Sequence, residues 1–425
     1  MSLPEPLYLG IDFGTSGARA IAIDTEGQMQ AQASVAFGAD PTAGREAAWQ
    51  TTLFELLEAL PLAVRQAVRA IAINGTSSTV TLCDVAGHFL SEPLFYHDAR
   101  AGSVLAAVEA IAPPDHTVLS ATSSLAKLYW WRAHQPLTPA GQRPYLLHQA
   151  DWLAFLLHGR MGISDYHNAL KLGYDVGALR YPDWMQPVFS VAILPRVLTP
   201  GMAIAPITSQ TATRFGLPAH CLVRAGTTDS IAAFLASGAH APGAAVTSLG
   251  STLVLKLLSQ TRVDSAQYGI YSHRLGDRWL VGGASNTGGA VLRQFFSDAE
   301  LESLSQQLQP DRASPLDYYP LSQPGERFPI NDPSLQPRLE PRPATSVEFL
   351  HGLLEAIARI EALGYQRLQE LGATPLTQVD TAGGGAKNAA WTQMRSRHLH
   401  VPVRASRQTE AAYGSALLAR DGAIE

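Results

Sequence analysis

Two apolar, β-prone runs stand at the start of the chain, within Leu7 to Asp24, and the residues between them read Gly14-Thr15-Ser16-Gly17. This pattern dictates a hairpin with a turn rich in glycine and hydroxyls. Glycine lets a backbone approach an anion closely and point its N–H groups at phosphate oxygens, and Thr15 and Ser16 add hydroxyl donors. Asp12 closes the first strand beside the turn, where a carboxylate can hold Mg²⁺ through water. An ordinary hairpin turn uses the same residues, so this segment alone leaves the two readings even.

Thr247-Ser248-Leu249-Gly250-Ser251-Thr252-Leu253-Val254-Leu255 repeats the arrangement just past the middle of the chain. Two similar hairpins point to two related halves facing one nucleotide. A third segment, Val379-Asp380-Thr381-Ala382-Gly383-Gly384-Gly385-Ala386-Lys387-Asn388, is a strand end, a triple glycine and a helix start. Such a turn lets backbone lie flat against a nucleoside, although a lone triple glycine serves equally as a plain loop.

Between these landmarks, Ala70 to Ile73 and Val80 to Cys83 read as strands, and Trp49 to Leu60 and Ser103 to Ile111 have helical spacing. Gly238-Ala239-His240-Ala241-Pro242-Gly243 breaks the pattern, and a domain boundary is expected there. Val347 to Leu371 predicts a long core-packing helix, apolar at Val347, Leu350, Leu354, Ile357 and Leu368 and closed by Gly372. From Pro310 to Pro343 no period survives; the stretch reads as an ordered surface connection, with an SH3-type ligand as the alternative.

At 425 residues, 46% hydrophobic and 16% charged, the chain has the size of two or three globular domains. A net charge of −5 without a basic run argues against nucleic acid as a partner. No apolar run is long enough to span a bilayer, and Met1-Ser2-Leu3-Pro4-Glu5-Pro6 lacks the regions of a signal peptide, so a cytoplasmic location is expected. Cys83 and Cys221 lack metal-ligand spacing and read as buried thiols of a reducing compartment. The histidines, including His398-Leu399-His400, point to no metal site of their own.

Taken in order, the three glycine segments resemble the FGGY carbohydrate kinase family. Further landmarks support this likeness: Lys127-Leu128-Tyr129-Trp130, Asp151-Trp152-Leu153 with Gly159, Asp165-Tyr166-His167-Asn168-Ala169, Ala225-Gly226-Thr227-Thr228-Asp229-Ser230, and Glu410 to Ala419 as a final helix. The resemblance is collinear over nearly the whole chain. It implies an α/β, two-domain actin/hexokinase/Hsp70-like ATPase fold, made of duplicated ribonuclease H-like domains with an interdomain cleft. Residues 1–240 would form the N-terminal domain for sugar and phosphate, and 241–425 the C-terminal nucleotide domain. The cofactors implied are ATP and Mg²⁺. Gly14, Thr15 and Ser16 would meet the phosphates from one side and Gly250, Ser251 and Thr252 from the other, with Gly384, Gly385 and Asn388 at the adenosine. The family usually has Gly-Thr-Ser where this chain has Gly250-Ser251-Thr252, and both orders supply two hydroxyls.

Asp229 is the residue that the resemblance makes the catalytic base, accepting the acceptor's proton. From local sequence it reads as the N-cap of the helix starting at Ser230, and both roles are compatible, because a helix dipole favours an ionised carboxylate that can orient a hydroxyl. Asp12 and Asp229 would hold Mg²⁺ through water and border the substrate. Thr76, Ser77, Tyr96 and Asp98 fall where the family lines its sugar pocket; Asp98 and Arg100 either touch sugar or form a structural ion pair. Trp130 and Trp131 read as core aromatics before pocket walls. Arg397 replaces an aspartate common in the family, which places the outer adenosine site in question. The compact second half and the hydroxyl-lined acceptor segment resemble the xylulose kinase-like group of cyanobacteria and plants associated with D-ribulose. The implied activity is ATP-dependent phosphorylation of the terminal hydroxyl of a ketopentose, D-ribulose before D-xylulose. A kinase of another polyol or ketose, or a sugar-responsive regulatory ATPase, stands as the alternative. The expected partner is a small sugar, with no nucleic acid and no membrane and a homodimer left open. No Gly-x-Gly-x-x-Gly of a dinucleotide fold and no Gly-Lys-Ser/Thr P-loop is present.

Overall fold

The computed structural model describes residues 5–37, 45–134 and 143–424. The chain divides into two units, Met1–Ala236 with Glu410–Glu425, and Ser237–Thr409. In the first unit the strands Leu7–Phe13, Gly17–Ile23 and Met29–Ala36 form an antiparallel meander, because each connection is a turn of a few residues. Val68–Gly75 then joins the open side of Leu7–Phe13 in parallel, and Leu222–Thr228 joins Val68–Gly75 in parallel. Ala203–Pro206 closes the sheet as an antiparallel edge. The central strands are buried on both faces, so they read as continuous apolar runs.

In the second unit Ala244–Leu249, Leu253–Ser259 and Arg278–Ser285 form the same kind of meander. Gln378–Ala382 pairs in parallel with its first strand, and Val403–Ala405 pairs in parallel with Gln378–Ala382. The two sheets thus share one connectivity, a meander followed by two parallel additions, which is the duplicated α/β arrangement that the resemblance implies. The long helix Ser346–Glu370 starts where the Thr345 side chain accepts the Glu348 N–H. It buries Leu350, Leu354, Ile357 and Leu368 in the core of this unit, with Val347 at the margin. The segment from Pro310 to Pro343 is irregular but anchored to that core by Tyr318, Tyr319, Leu321 and Phe328.

The last helix, Ala411–Asp421, packs in the first unit with Met1–Ala236. It lies on the sheet at Gly10, where a Cβ would overlap the backbone of Ala412 and Ala416. Ser103 to Ile111 is not one helix but a 3₁₀ turn, Arg100–Val104, followed by the short helix Leu105–Glu109. These pieces border a satellite core of the first unit, built from Val80, Leu125, Leu128, Trp131 and Leu146 among others.

Candidate active site

Register alone gathers carboxylates and hydroxyls at one end of the first sheet. Asp12 lies beside Asn74 and Asn74 beside Thr227, so Asp12, Asn74 and Thr227 form one row across three parallel strands. One step further, Phe13, Gly75 and Thr228 form the next, and the chain then leaves the sheet as Gly14, Thr76 and Asp229. The carboxyl ends of parallel strands are where open α/β sheets bind ligands. Asn74 fixes this end by donating to the Ile11 carbonyl at 3.3 Å and to Ser415 Oγ at 2.8 Å.

The electrostatics here are unusual. Burial pushes the Asp12 carboxyl up to about 7, the Asp229 charge adds to the shift, and Arg19 opposes it. Arg19 stands directly across the hairpin from Asp12 and is ion-paired with Glu410. Sequence reasoning missed Arg19, although its cross-strand position follows from the turn length. Asp229 opens the helix Asp229–Ser237, and its Oδ1 accepts the Ser230 N–H at 2.6 Å. The helix thus begins one residue earlier than the sequence reading placed it, with Asp229 inside its first turn and not as a cap preceding Ser230. The turn itself is closed by the Gly14 N–H donating to the Gly17 carbonyl at 3.0 Å, which leaves Thr15 and Ser16 exposed.

The acceptor candidates sit on two loops after strand ends. Thr76 is buried, with Oγ1 2.5 Å from Thr79 Oγ1 and 3.3 Å from Gln149 Oε1. Ser77 is half-buried and Tyr96 exposed, and the Tyr96 N–H donates to Thr79 Oγ1 at 3.0 Å, which ties the two loops together. Asp98 and Arg100 form a two-pronged ion pair, Nε to Oδ1 at 2.9 Å and Nη2 to Oδ2 at 2.8 Å. Burial pushes the Asp98 carboxyl up, but the Arg100 hydrogen bonds outweigh it and hold it below its ordinary value. Trp130 lies under the Arg100 guanidinium, 4.9 Å from the ring centroid.

The second unit holds a cavity of about 700 Å³. Its lining unites four of the predicted nucleotide residues, Gly250, Gly384, Gly385 and Asn388, from the second hairpin and the triple-glycine loop. Ser251 and Thr252 are at the hairpin turn but do not line it. Asn388 caps the helix Ala389–Leu399 through the Trp391 N–H and donates to Ser305 Oγ at 2.8 Å. Arg293 and Lys387, to which sequence reasoning assigned no role, line the same cavity and bring positive charge to it. Arg397 is outside it, paired with Glu355 at 2.7 Å. Gly385 touches the cavity wall so closely that a Cβ would lie 2.7 Å from the Trp391 ring and 2.8 Å from Leu249. Gly385→Ala is therefore expected to raise the KM for ATP by roughly tenfold or more through overpacking, with the KM for the acceptor unchanged. Initial rates against each substrate check this.

Family models of the FGGY family of carbohydrate kinases match residues 7–236, as its N-terminal domain, and 245–420, as its C-terminal domain. The chain belongs to this family. It is accordingly a sugar kinase, a phosphotransferase with an alcohol group as acceptor. Among curated relatives, the chain is 24% identical to an L-fuculokinase of Salmonella typhi, over 98% of this chain and 92% of the relative. It is 24% identical to a xylulose kinase of Escherichia coli (strain K12), over 91% of this chain and 84% of the relative. The crystal structure of a xylulose kinase from Rhodospirillum rubrum shares the fold with a TM-score of 0.83 at 21% identity, covering 97% of this chain and 89% of that one. FGGY kinases use ATP, generally with Mg²⁺. Among the described residues no group of three or more metal-ligating side chains is assembled, and no helix is long and apolar enough to cross a membrane.

Proposed function

We propose that this FGGY kinase transfers the γ-phosphoryl group of ATP to the terminal hydroxyl of a ketopentose, D-ribulose in preference to D-xylulose. The observation that carries the mechanism is the meeting of Asp12 and Asp229 at the carboxyl end of the first sheet, beside the Gly14–Gly17 turn. Asp229 orients the acceptor hydroxyl and takes its proton. Backbone and hydroxyl donors of Gly14, Thr15 and Ser16 hold phosphate oxygens, as do Gly250, Ser251 and Thr252, and Gly384, Gly385 and Asn388 seat the adenosine. Thr76, Ser77, Tyr96 and Asp98 border the sugar, and their small hydroxyls and single oriented carboxylate suit a polyhydroxylated acceptor. The ketopentose is supported by the xylulose kinases among the relatives, and D-ribulose rests on the resemblance of the short second half and hydroxyl-lined loop to the xylulose kinase-like group. A cytoplasmic setting, where ATP is present and thiols stay reduced, suits the two buried free cysteines.

The residues fit a divalent cation. Asp12 Oδ1 is buried with no hydrogen-bond partner among the described residues, and a second carboxylate acts on it from Asp229. A cation's water would satisfy that oxygen and relieve the like-charge repulsion. Asp12 and Asp229 would hold Mg²⁺ through water, and the ion, when bound, neutralises charge developing on the phosphates. Asp12→Asn keeps the shape and removes the charge; it is expected to raise the Mg²⁺ concentration for half-maximal rate about 10–100-fold, measured at fixed ATP.

The deciding experiment is ADP formation from Mg·ATP with D-ribulose, D-xylulose, L-ribulose, L-xylulose, ribitol, glycerol and fructose supplied singly. The expected result is the largest stimulation by D-ribulose, then D-xylulose. Equal ADP formation with and without every sugar would move the assignment to a sugar-responsive ATPase.

A further inference from the structure

Lys127 is buried with no exposed surface at all, in the helix Ser124–His134. Its Nζ donates to two backbone carbonyls, Ser78 O at 2.8 Å and Phe95 O at 2.6 Å. Enclosing an amine in this way is costly, since carbonyl dipoles compensate a buried charge less than a contacting carboxylate does. Burial accordingly pushes it down to about 7, Asp98 opposing and Lys171 reinforcing the shift. A core that only needed filling would use an apolar side chain, so the cost calls for a function of the two contacts.

Those carbonyls belong to the two loops bordering the proposed acceptor. Ser78 holds a φ of 64°, in the left-handed region that a residue with a Cβ rarely adopts, and it follows Thr76 and Ser77. The Phe95 carbonyl also accepts the Asp98 N–H at 2.9 Å, so it opens the turn that carries Tyr96 and Asp98. At their base Val80 and Leu94 exchange two backbone bonds, and further out the Tyr96 N–H donates to Thr79 Oγ1. We propose that Lys127 is a specificity-determining positioning residue, whose amine clamps the 76–79 loop to the 94–98 loop and thereby sets the size and grip of the acceptor site. Neither Lys127 nor its contacts touch the reacting atoms; it acts through the loops. The inference rests on the sugar kinase reading and deepens it.

Lys127→Met keeps the aliphatic stem and removes the donors. Its expected effects, in the intact chain, are a rise of about tenfold or more in the KM of the favoured ketopentose and a KM for ATP changed less than about twofold. At saturating sugar kcat is expected to stay within about threefold of wild type, while the kcat/KM preference for the ketopentose over glycerol falls about tenfold. Lys127→Gln, which retains an amide donor, is expected to recover part of the preference, and it carries the same comparison where the Met variant fails to fold. A role in packing alone would lower the melting temperature and leave KM and preference unmoved, and that result in a folded variant overturns the proposal. Wild-type protein without sugar-stimulated ADP formation would instead count against the kinase reading, so the two failures are distinguishable.

Discussion

Asp229→Ala is expected to lower kcat about 10²–10⁴-fold, the range for loss of a group that moves a proton in the transition state. The KM for ATP should change little, because Asp229 is not among the residues that line the cavity of the second unit. Stability should move the other way from activity. The Asp229 charge helps push Asp12 up to about 7, so removing it relieves a repulsion within a buried strand end. An unchanged or raised melting temperature together with the collapse of turnover is the signature of a site that carries strain for function. The helix Asp229–Ser237 loses the Ser230 N–H bond, and Ser230 is exposed, so water can replace that bond. Steady-state rates and a thermal melt of one preparation suffice, and unchanged turnover would remove Asp229 from the chemistry.

Arg395→Met is expected to destabilise the second unit by about 3–5 kcal/mol, the cost of leaving a buried ion without its partner. Arg395 and Glu361 are both fully buried, joined by Nε to Oε2 at 2.5 Å and Nη2 to Oε1 at 2.7 Å. Each also grips a threonine: Thr247 Oγ1 donates to Glu361 at 2.5 Å, and Arg395 Nη1 donates to Thr381 Oγ1 at 2.7 Å. Thr247 and Thr381 are register partners on adjacent parallel strands, and those strands lead into Gly250 and Gly383. One ion pair thus ties the long helix Ser346–Glu370 and the helix Ala389–Leu399 to both glycine turns. The double variant Glu361→Leu/Arg395→Met should recover most of the lost stability, since an apolar pair leaves no orphaned charge. Urea unfolding of the four proteins of the cycle measures this. Equal losses in the single and double variants would show that the ion pair is not the source of the effect.

The parts of this site that were legible in the sequence are those whose geometry is local. A short Gly-rich turn between two β-prone apolar runs reads as a hairpin, and register then places Asp12 beside it. The triple glycine and Asn388 were legible for the same reason, a turn followed by a helix cap within six residues. The lysine at 127 was visible as a landmark, but nothing in the spacing of Lys127, Ser78 and Phe95 announces that they meet. Arg293 was unreadable because it comes to the cavity from the turn after the short helix Gly289–Leu292, about forty residues beyond Gly250 in the chain. The last helix was legible as a helix but its packing on the first sheet was not, because amphipathic spacing tells which face is apolar and not which sheet covers it.

By itself the sequence determined the two hairpins, the triple-glycine turn and the long core helix, set by glycine conformation, side-chain alternation and helical period, while Asp229 stood out as a candidate base through the family resemblance. Only the tertiary structure decided which of these act together. It aligned Asp12 with the strand ending at Asp229, where burial and like charge raise the Asp12 carboxyl. It enclosed the Lys127 amine between two loop carbonyls, and it joined Thr247 to Thr381 through a buried ion pair. The physical reason is the same in each case: burial and charge coupling are properties of neighbours in space, and the chain brings those neighbours together from positions that its local pattern cannot connect.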